Sequence, residues 1–339
     1  MILLDYLLEA TRGVLVYPGK QGYVEAFSHD SRQLLPGEMF VAVRGEHSDG
    51  HDYLLDAVQR GAAGLLAEAR AVNRLPEDTL RAIQQAHIPL VTVEDTRIAL
   101  QHYARFILEH WHPTVIAVTG STGKTSTKEA IASVLSNNFA TFKSWQNYND
   151  LLGVPLSLGR LEQRHEYAVV ELGCDHPGEM SDLCRIVRPT IGVLTNISPT
   201  QLQYFGTLER YAAELEMILA ALPENGVGFV NGDEARGGSN TLESDSVCAG
   251  RIIPYYPSQA QDVQVTWSGT QCIAPHSPIT LTSHLLGRHH VATMLAAYAV
   301  ATYCGMHPIE IQHALAKLHP LPGRLNPLAG VHDTLLLDD

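Results

Sequence analysis

Residues 115–128 read Val115-Ile-Ala-Val-Thr-Gly120-Ser-Thr-Gly-Lys124-Thr-Ser-Thr-Lys128, and the architecture of the chain is inferred outward from them. The apolar run 115–118 predicts a buried strand, and a helical pattern extends from residue 125 to about residue 135. A turn with two glycines joins these elements. The sequence therefore predicts a strand, a phosphate loop and a helix in succession.

The turn predicts a binding site for the phosphates of ATP. Glycines let backbone N–H groups approach phosphate oxygens, and the N-terminus of the following helix favours negative charge. The pattern is the shorter Gly-x-x-Gly-Lys-Thr, because Val118 stands where the longer phosphate-loop pattern has its first glycine. We expect Lys124 to reach the outer phosphates and the Thr125 hydroxyl to ligate Mg²⁺; a fortuitous Gly-Lys-Thr at a helix start is the alternative. The predicted nucleotide-binding residues of the turn are Thr119, Gly120, Ser121, Thr122, Gly123, Lys124, Thr125 and Ser126.

The composition is that of an acidic globular protein with room for about two domains. The chain has 339 residues, and 23 Lys and Arg against 36 Asp and Glu give a net charge of −13. This balance argues against a nucleic acid or an anionic membrane surface as the main partner. No apolar run reaches membrane-spanning length and the N-terminus does not fit a signal peptide, so we expect a cytoplasmic protein without membrane insertion. The cysteines are predicted to be reduced and buried; they are Cys174, Cys184, Cys248, Cys272 and Cys304.

The segment before the phosphate loop predicts a small α/β domain. Apolar runs at residues 64–67 and 89–93 predict strands, and helical spacing is seen at 53–61 and 95–111. His112-Pro113 follows the last of these helices. The predicted first domain therefore spans residues 1–111, and the predicted central domain spans residues 112–328.

A carboxylate follows a second predicted strand of the central domain. Residues 166–170 are predicted to form this strand, and Glu171 lies at its C-terminal end. Ligands bind at that edge of an α/β sheet, and a carboxylate there can hold Mg²⁺ opposite Thr125. We therefore predict Thr125 and Glu171 as metal ligands, and Lys124 and Glu171 as catalytic residues. The alternative for Glu171 is a surface glutamate at a strand end.

Motifs in the first segment resemble the Mur ligases, most of all the members that add the third residue or D-Ala-D-Ala to a UDP-muramoyl peptide. The resemblance is carried by Asp30-Ser31-Arg32, Pro36-Gly37, Phe40-Val-Ala42, Gly45 and Asp49-Gly50-His51. It implies that this domain holds the uridine nucleotide of the substrate, with Ser31 and Arg32 near it. A turn that simply caps a loop is the alternative for these two residues.

Motifs in the central segment extend the resemblance to nearly the whole chain. Asn147-Tyr-Asn149-Asp150 resembles the family's Asn-x-Asn-Asn run, which implies that Asn147 and Asn149 bind substrate. Asn231-Gly-Asp233 and Pro322-Gly-Arg324 resemble motifs near ATP, which implies nucleotide contacts for Asn231 and Arg324. The expected fold is α/β: a small N-terminal α/β domain and a central P-loop ATPase domain with a mostly parallel sheet flanked by helices.

Two positions depart from the family where it binds metal and phosphoryl groups. Gln201 stands in place of a histidine that helps hold a second metal, and glutamine is a weak neutral ligand. Leu215 aligns with a carbamylated lysine, and leucine can carry neither carbamate nor charge. Glu214 and Glu216 flank it but point about 100° away along the helix. We expect both glutamates to be ordinary solvated helix residues.

Two further departures lie where the family approaches the nucleotide. His290 and Thr293 stand in place of two asparagines at the start of a helix predicted from about residue 286 to 304. Adjacent histidines on a helix face different ways and do not form a metal site together. We expect His289 and His290 to make capping or core contacts.

The last residues, 329–339, are predicted to be the start of a truncated or missing C-terminal domain, since the family's third domain begins at such a strand. In the family that domain closes over ATP and brings groups for the incoming amine. Residues 1–339 by themselves are therefore expected not to release phosphate.

The resemblance implies an ATP-dependent amide ligase of peptidoglycan precursor synthesis. ATP would phosphorylate the carboxylate of a UDP-linked muramoyl peptide, and an amino acid or a dipeptide such as D-Ala-D-Ala would displace the phosphate. The alternative is a degenerate relative that binds nucleotide without ligating and serves as a binding or regulatory partner. An unrelated P-loop ATPase or small-molecule kinase fits less well, because it does not account for the N-terminal motifs.

Overall fold

The computed structural model describes residues 1–234, 249–330 and 334–339, which form a mixed α/β fold. The helices are α1 (Leu4–Thr11), α2 (Leu54–Gln59), α3 (Ala69–Val72), α4 (Glu77–Gln85), α5 (Thr96–Trp111), α6 (Lys124–Leu135), α7 (Gly153–Leu158), α8 (Glu179–Val187), α9 (Leu202–Phe205), α10 (Leu208–Ala220), α11 (His290–Tyr303) and α12 (Pro308–Leu315). The strands are β1 (Ile2–Leu3), β2 (Val14–Tyr17), β3 (Tyr23–Val24), β4 (Ala26–Ser28), β5 (Glu38–Val41), β6 (Gly64–Glu68), β7 (Leu90–Val93), β8 (Thr114–Thr119), β9 (Thr141–Lys143), β10 (Tyr167–Glu171), β11 (Ile191–Leu194), β12 (Val227–Asn231), β13 (Arg251–Tyr255), β14 (Gln261–Thr266), β15 (Gly269–Ile273), β16 (Thr280–Ser283), β17 (Asn326–Ala329) and β18 (Leu335–Asp338).

The chain forms two compact units. The first contains Met1–His112 and Tyr148–Gln163, and the second contains Pro113–Asn147 and Arg164–Asp339. The predicted domains, 1–111 and 112–328, assign residues 148–163 to the central domain, whereas the structure packs them with the first unit. The division into a UDP-binding and an ATP-binding domain stays a prediction.

The sheet of the first unit has the order β2-β7-β6-β5-β4. Strands β4 to β7 pair in parallel, and β2 runs antiparallel to β7 at one edge. Helix α7 packs against α5 in this unit. Its apolar run Val154-Pro-Leu-Ser-Leu158 is buried, and α7 also contacts β4, so the segment packs within the first unit although it follows the phosphate loop in sequence.

The sheet of the second unit is parallel throughout its described strands, with the order β13-β12-β11-β8-β10-β9. Helices α6, α11 and α12 pack together and share one apolar core with the sheet, while α8 and α10 pack with each other and α10 contacts β11. Strand β8 is apolar at nearly every position because a parallel strand between helices is buried on both faces. The predicted parallel sheet with flanking helices is confirmed.

The strand order places the phosphate loop where the sheet changes winding direction. After β8 the chain builds β9 and β10 on one side, and it then crosses to β11 on the other side. The carboxyl ends of β8, β10, β11 and β12 meet at one edge, which brings Thr119, Glu171, Leu194 and Asn231 to it. This edge is where doubly wound sheets bind ligands.

Smaller sheets flank the parallel one. Residues 261–283 contain the antiparallel sheet β14-β15-β16. The predicted start of a C-terminal domain contains β18, which pairs antiparallel with β17; residues 331–333 lie outside the described residues. Helix α11 begins at His290 rather than near residue 286.

Four of the five cysteines lie among the described residues. Cys174, Cys184 and Cys272 are buried free thiols, as predicted, whereas the free thiol of Cys304 is only half-buried. Cys248 lies outside the described residues. No described helix combines the length and the apolar character that crossing a membrane requires.

The packing of residues 148–163 leads to the first testable prediction. Leu158 is 0% exposed in the structure, so Leu158→Ala should lower the free energy of unfolding by about 2–5 kcal/mol through lost burial and a residual cavity. Urea unfolding of the two proteins measures this. Leu35→Ala, at a leucine that is 51% exposed, is the matched control and should change stability by less than about 0.5 kcal/mol. Equal effects of the two substitutions would contradict the burial of this segment.

Candidate nucleotide site

The phosphate loop has a backbone that only glycine adopts easily at two positions. Gly120 has φ +142° and Gly123 has φ +76°, both in the region that L side chains avoid. A Cβ atom on Gly120 would also lie 2.1 Å from the Thr195 hydroxyl oxygen. The first glycine therefore allows close approach to the end of β11, and the second allows the turn into α6.

Two residues after β11 hold this loop in place. Thr195 Oγ1 lies 2.7 Å from the carbonyl oxygen of Thr122 and 3.2 Å from that of Thr119. Asn196 accepts hydrogen bonds from the N–H groups of Ser121 (2.9 Å, to its carbonyl) and Thr122 (2.9 Å, to Oδ1). Its Nδ2 donates to Thr122 Oγ1 at 2.7 Å. The loop is therefore clamped from the neighbouring strand.

This clamp changes which amides can bind an anion. The N–H groups of Ser121 and Thr122 donate to Asn196, so they support the loop instead of facing a phosphate. The N–H groups at the head of α6, from Gly123 onward, have no partner within the helix because of their position in its first turn. The predicted phosphate site therefore depends on the N–H groups at the helix N-terminus.

Lys124 lies over the loop. Its Nζ donates to the carbonyl oxygens of Gly120 at 2.8 Å and Ser121 at 3.3 Å. Burial lowers the pKa of Lys124, while the Glu171 carboxylate acts in the opposite direction and Arg324 lowers it further. Glu171 and Arg324 therefore both lie close enough to Lys124 to act on its charge. The predicted catalytic pair is brought together at one edge of the sheet.

Glu171 is buried, in contrast to the alternative of a surface glutamate. It is 1% exposed, its residue pairs with Val118 across the β8–β10 ladder, and its N–H donates to Ser144 Oγ at 3.0 Å. The described residues contain no group of three or more His, Cys, Asp and Glu side chains arranged to hold a metal. One carboxylate and one hydroxyl nevertheless suit Mg²⁺, which usually keeps waters and phosphate oxygens as its remaining ligands. Glu171 and Thr125 therefore fit the predicted metal, and their role stays a prediction.

A cleft of ≈ 440 Å³ opens beside the loop in the second unit. Among the predicted nucleotide-binding residues, those that line it are Thr122, Gly123, Ser126, Asn231 and Arg324. Thr119 is buried beneath the loop and donates from Oγ1 to the carbonyl of Leu172 at 2.8 Å. Asn231 ends β12 and accepts at Oδ1 from the N–H of Asp233. The structure thus gathers residues from distant parts of the sequence around one cavity.

The departures at the start of α11 also line this cleft. His290 and Thr293 are each 5% exposed and face it together with the exposed Arg288. Of the capping or core contacts expected of the histidine pair, the N-cap residue His289 makes no side-chain capping bond. The core contact expected of His290 is present: the ring is buried, and burial together with His289 lowers its pKa to about 4. His290 is therefore neutral near pH 7.

The expectation of solvated glutamates beside Leu215 is wrong for Glu214. Its carboxylate accepts bonds of 2.9–3.0 Å from the N–H groups of Gly178 and Met180, at the N-terminus of α8. A carboxylate is favoured there by the unsatisfied N–H groups and the helix dipole. Leu215 is buried in the apolar core, and Gln201 donates from Nε2 to Asp175 Oδ1 at 2.9 Å. Glu214 therefore anchors two helices to each other.

The predicted uridine-binding residues line a separate cavity of ≈ 760 Å³ in the first unit. Ser31 is buried and donates to Asp56 Oδ2 at 2.6 Å, while Arg32 is largely exposed and pairs with Asp30 through two bonds of 2.8 and 2.9 Å. This pairing holds the pKa of Asp30 at about 2. Asp30 also accepts from the N–H of Arg32, so the turn cap considered as an alternative is present, and the cavity beside it is compatible with ligand binding.

The two predicted substrate asparagines belong to different units. Asn147 is the last residue of Pro113–Asn147 in the second unit and is exposed. Asn149 follows in Tyr148–Gln163 of the first unit and is half-buried. Their role in substrate binding stays a prediction.

Sequence reasoning missed three kinds of supporting residue. Thr195 and Asn196 follow β11, and their position at the ligand-binding edge of the sheet could have marked them as site residues. Lys128 is wholly buried beside Glu171, and no pattern in the sequence distinguishes it from a surface helix lysine. The carboxylate of Glu214 reaches another helix, which a single helix pattern does not reveal.

The fold and the loop define a P-loop nucleotide-binding protein with a parallel α/β sheet. Family profiles agree with this: the Mur ligase middle domain matches residues 118–301, and the Mur ligase family catalytic domain matches residues 24–107. The chain belongs to the Mur ligase family.

Similar proteins cover nearly all of this chain. It is 33% identical to the UDP-N-acetylmuramoyl-tripeptide--D-alanyl-D-alanine ligase of Escherichia coli (strain K12), over 100% of this chain and 73% of that protein. The enzyme of the same name from Haemophilus influenzae is 32% identical over 93% of this chain and 68% of its own length.

Solved structures show the same architecture. A crystal structure of MurF from Acinetobacter baumannii superposes with a TM-score of 0.81 at 27% identity, over 100% of this chain and 72% of that one. MurF ligase from Thermotoga maritima in complex with ADP superposes with a TM-score of 0.73 at 26% identity, over 93% and 70%.

The buried His290 generates a prediction about acid stability. An unfolded histidine takes up a proton below about pH 6.5, whereas folded His290 does so only near 4. The unfolded state therefore binds more protons between these values, and the free energy of unfolding falls as the pH falls. His290→Asn should remove about 2 kcal/mol of the stability difference between pH 7 and pH 5, measured by urea unfolding at both values.

His313→Asn, at an exposed histidine of α12, is the control and should leave the acid dependence of stability as it is in the wild type. If His290→Asn also left it unchanged, the neutral buried state of His290 would be refuted.

Proposed function

We propose that this protein is an ATP-dependent ligase of peptidoglycan precursor synthesis that joins an amine to the carboxylate of a UDP-linked muramoyl peptide. D-alanyl-D-alanine is the proposed amine, since the named relatives are D-alanyl-D-alanine ligases. A cytoplasmic location accords with this function. The observation that carries the proposal is the phosphate loop and the head of α6 at the carboxyl edge of the parallel sheet, where β10 ends in the buried Glu171 and Arg324 lines the adjacent cleft.

The nucleotide would bind with its phosphates at the N-terminus of α6. Lys124 and Arg324 supply positive charge there, and Asn231 and Thr293 line the cleft further from the loop. ATP use is supported by the ADP complex of a solved relative. The clamp from Thr195 and Asn196 keeps the loop rigid, so little ordering cost remains for the nucleotide to meet.

Mg²⁺ would be held by Thr125 and Glu171. When bound, it offsets the negative charge of the phosphates and polarises the transferred phosphoryl group. Because the carboxylate of Glu171 is buried, its interaction with a cation is screened less than that of a surface carboxylate.

The reaction of this class needs two anions to be brought together. The substrate carboxylate attacks the γ-phosphorus, ADP leaves, and the amine then attacks the acyl phosphate carbon with loss of phosphate and a proton. Lys124 lies where it can reduce the repulsion between carboxylate and phosphate. The 760 Å³ cavity beside Ser31 and Arg32 is the proposed site for the uridine end.

A second candidate function is nucleotide binding without ligation. It is favoured by the neutral groups at the departures from the family pattern: Leu215 is buried in the core, and the Gln201 amide is bonded to Asp175. Neither residue adds negative charge near the phosphates. Such a protein would act as a binding or regulatory partner.

Nucleotide binding gives the first test of the proposal. Lys124→Ala should weaken binding of a non-hydrolysable ATP analogue about a hundredfold, because charge-assisted bonds to the phosphates are lost. Isothermal titration calorimetry in the presence of Mg²⁺ measures this. Lys317→Ala, at an exposed lysine after α12, is the control and should bind as the wild type does. Unchanged affinity in Lys124→Ala would reject the assignment of the loop.

An assay of ligation separates the two candidate functions. With ATP, Mg²⁺, UDP-muramoyl tripeptide and D-Ala-D-Ala, we expect ADP, phosphate and a new amide, detected by mass spectrometry. The rate should be the same with and without added bicarbonate, because Leu215 cannot form a carbamate. Nucleotide binding with no amide product would instead favour the second candidate.

A further inference from the structure

Lys128 is a fully buried charge that the proposed reaction does not use. It is 0% exposed, and its Nζ donates to the carbonyl oxygens of Ser144 at 3.0 Å and Gln146 at 2.7 Å. An ammonium group is costly to bury unless charges and hydrogen bonds compensate it. Two carboxylates do so: Glu129 Oε1 lies at 3.2 Å and Glu171 Oε2 at 3.8 Å.

The position of Lys128 on α6 explains its reach. It follows Lys124 by four residues, so both project from the same face of the helix, one turn apart. Lys124 covers the phosphate loop, whereas Lys128 faces the segment after β9 and the end of β10. One helix face therefore presents one cation to the loop and a second to the proposed metal ligand.

Glu171 is held from two directions by this arrangement. Its N–H donates to Ser144 Oγ at 3.0 Å, and the carbonyl of Ser144 accepts from Lys128. The 3.8 Å between Lys128 Nζ and Glu171 Oε2 is an electrostatic contact, since it exceeds hydrogen-bond length. In a buried setting such a contact is stronger than on the surface and constrains the direction of the carboxylate.

The neighbouring Glu129 lies nearer to Lys128 than Glu171 does, and it shares the charge of Lys128. Glu129 also bonds to the half-exposed Lys143, at 2.5 Å. The cluster therefore contains two ammonium groups and two carboxylates. Lys143 contacts Glu129 from the solvent side, whereas Lys128 contacts both Glu129 and Glu171 from within.

We propose that Lys128 is a positioning residue for the metal and nucleotide site, because its ammonium fixes both the Glu171 carboxylate and the segment 144–146 beside it. The inference rests on the proposed function, since it assumes that Glu171 ligates Mg²⁺. It assigns Lys128 no contact with the nucleotide. Lys128 acts through Glu171.

The test compares nucleotide affinity with and without the metal. Binding of a non-hydrolysable ATP analogue is measured by calorimetry in saturating Mg²⁺ and in EDTA. Lys128→Met should reduce the enhancement by Mg²⁺ about ten- to hundredfold, as loss of a residue that orients a metal ligand does. The affinity in EDTA should change less than about threefold. Lys143→Met, which removes the other ammonium of the cluster, should retain the full enhancement.

A double-variant cycle shows whether Lys128 acts through Glu171. Glu171→Gln should itself remove most of the Mg²⁺ enhancement, and adding Lys128→Met should then remove little more. Additive losses, or a full Mg²⁺ enhancement in Lys128→Met, would overturn the proposal. Absence of any Mg²⁺ enhancement in the wild-type protein would instead count against the proposed function.

Lys128→Gln provides a second variant in case Lys128→Met does not fold, which circular dichroism reports. Its amide can still donate to the carbonyls of Ser144 and Gln146, but it carries no charge. The same loss of Mg²⁺ enhancement is expected. Wild-type enhancement in Lys128→Gln would equally overturn the proposal.

Discussion

The hydrogen bonds from Thr195 and Asn196 to the phosphate loop are the constraint on which the site depends. The loop follows a strand inside a parallel sheet, and the sheet fixes where β8 and β11 end. The side chains just beyond β11 then fix the loop, through bonds to Thr122 and Ser121. Gly120 is required because the hydroxyl of Thr195 occupies the space of a Cβ atom. The position of Lys124 follows from this clamp.

Much of the fold could be predicted from the sequence because its signals are local. The apolar run before Gly120 and the helical pattern after Lys124 each report on a few neighbouring residues, and both elements are present. The mostly parallel sheet was expected from the resemblance to the Mur ligases, and it is present. The assignment of residues 148–163 to the central domain was wrong. An apolar sequence predicts that a segment is buried, but it does not indicate which of two cores buries it.

The site was predictable only in part, and for a related physical reason. Motifs identified the residues that carry phosphate-binding chemistry, such as Lys124 and Glu171. They did not identify the groups that hold these residues, because Glu214 and Lys128 act on segments more than ten residues away in sequence. The burial of a lysine depends on tertiary packing, and its helix pattern resembles that of a surface residue.

Neutral residues stand where the family has groups that bind metal and phosphoryl groups, and this increases the importance of Glu171 as a proposed metal ligand. Leu215 lies in the apolar core, and Glu214 is committed to the N-terminus of α8, so neither supplies charge to the phosphates. Gln201 is bonded to Asp175 and is itself neutral. The proposed metal site then depends on Thr125 and on the single carboxylate of Glu171. A site with one carboxylate tolerates little freedom in that side chain, since no second charged ligand compensates for a misdirected one. The buried ammonium of Lys128 restricts the freedom of the Glu171 carboxylate. This carboxylate in turn compensates part of the energetic cost of burying the ammonium.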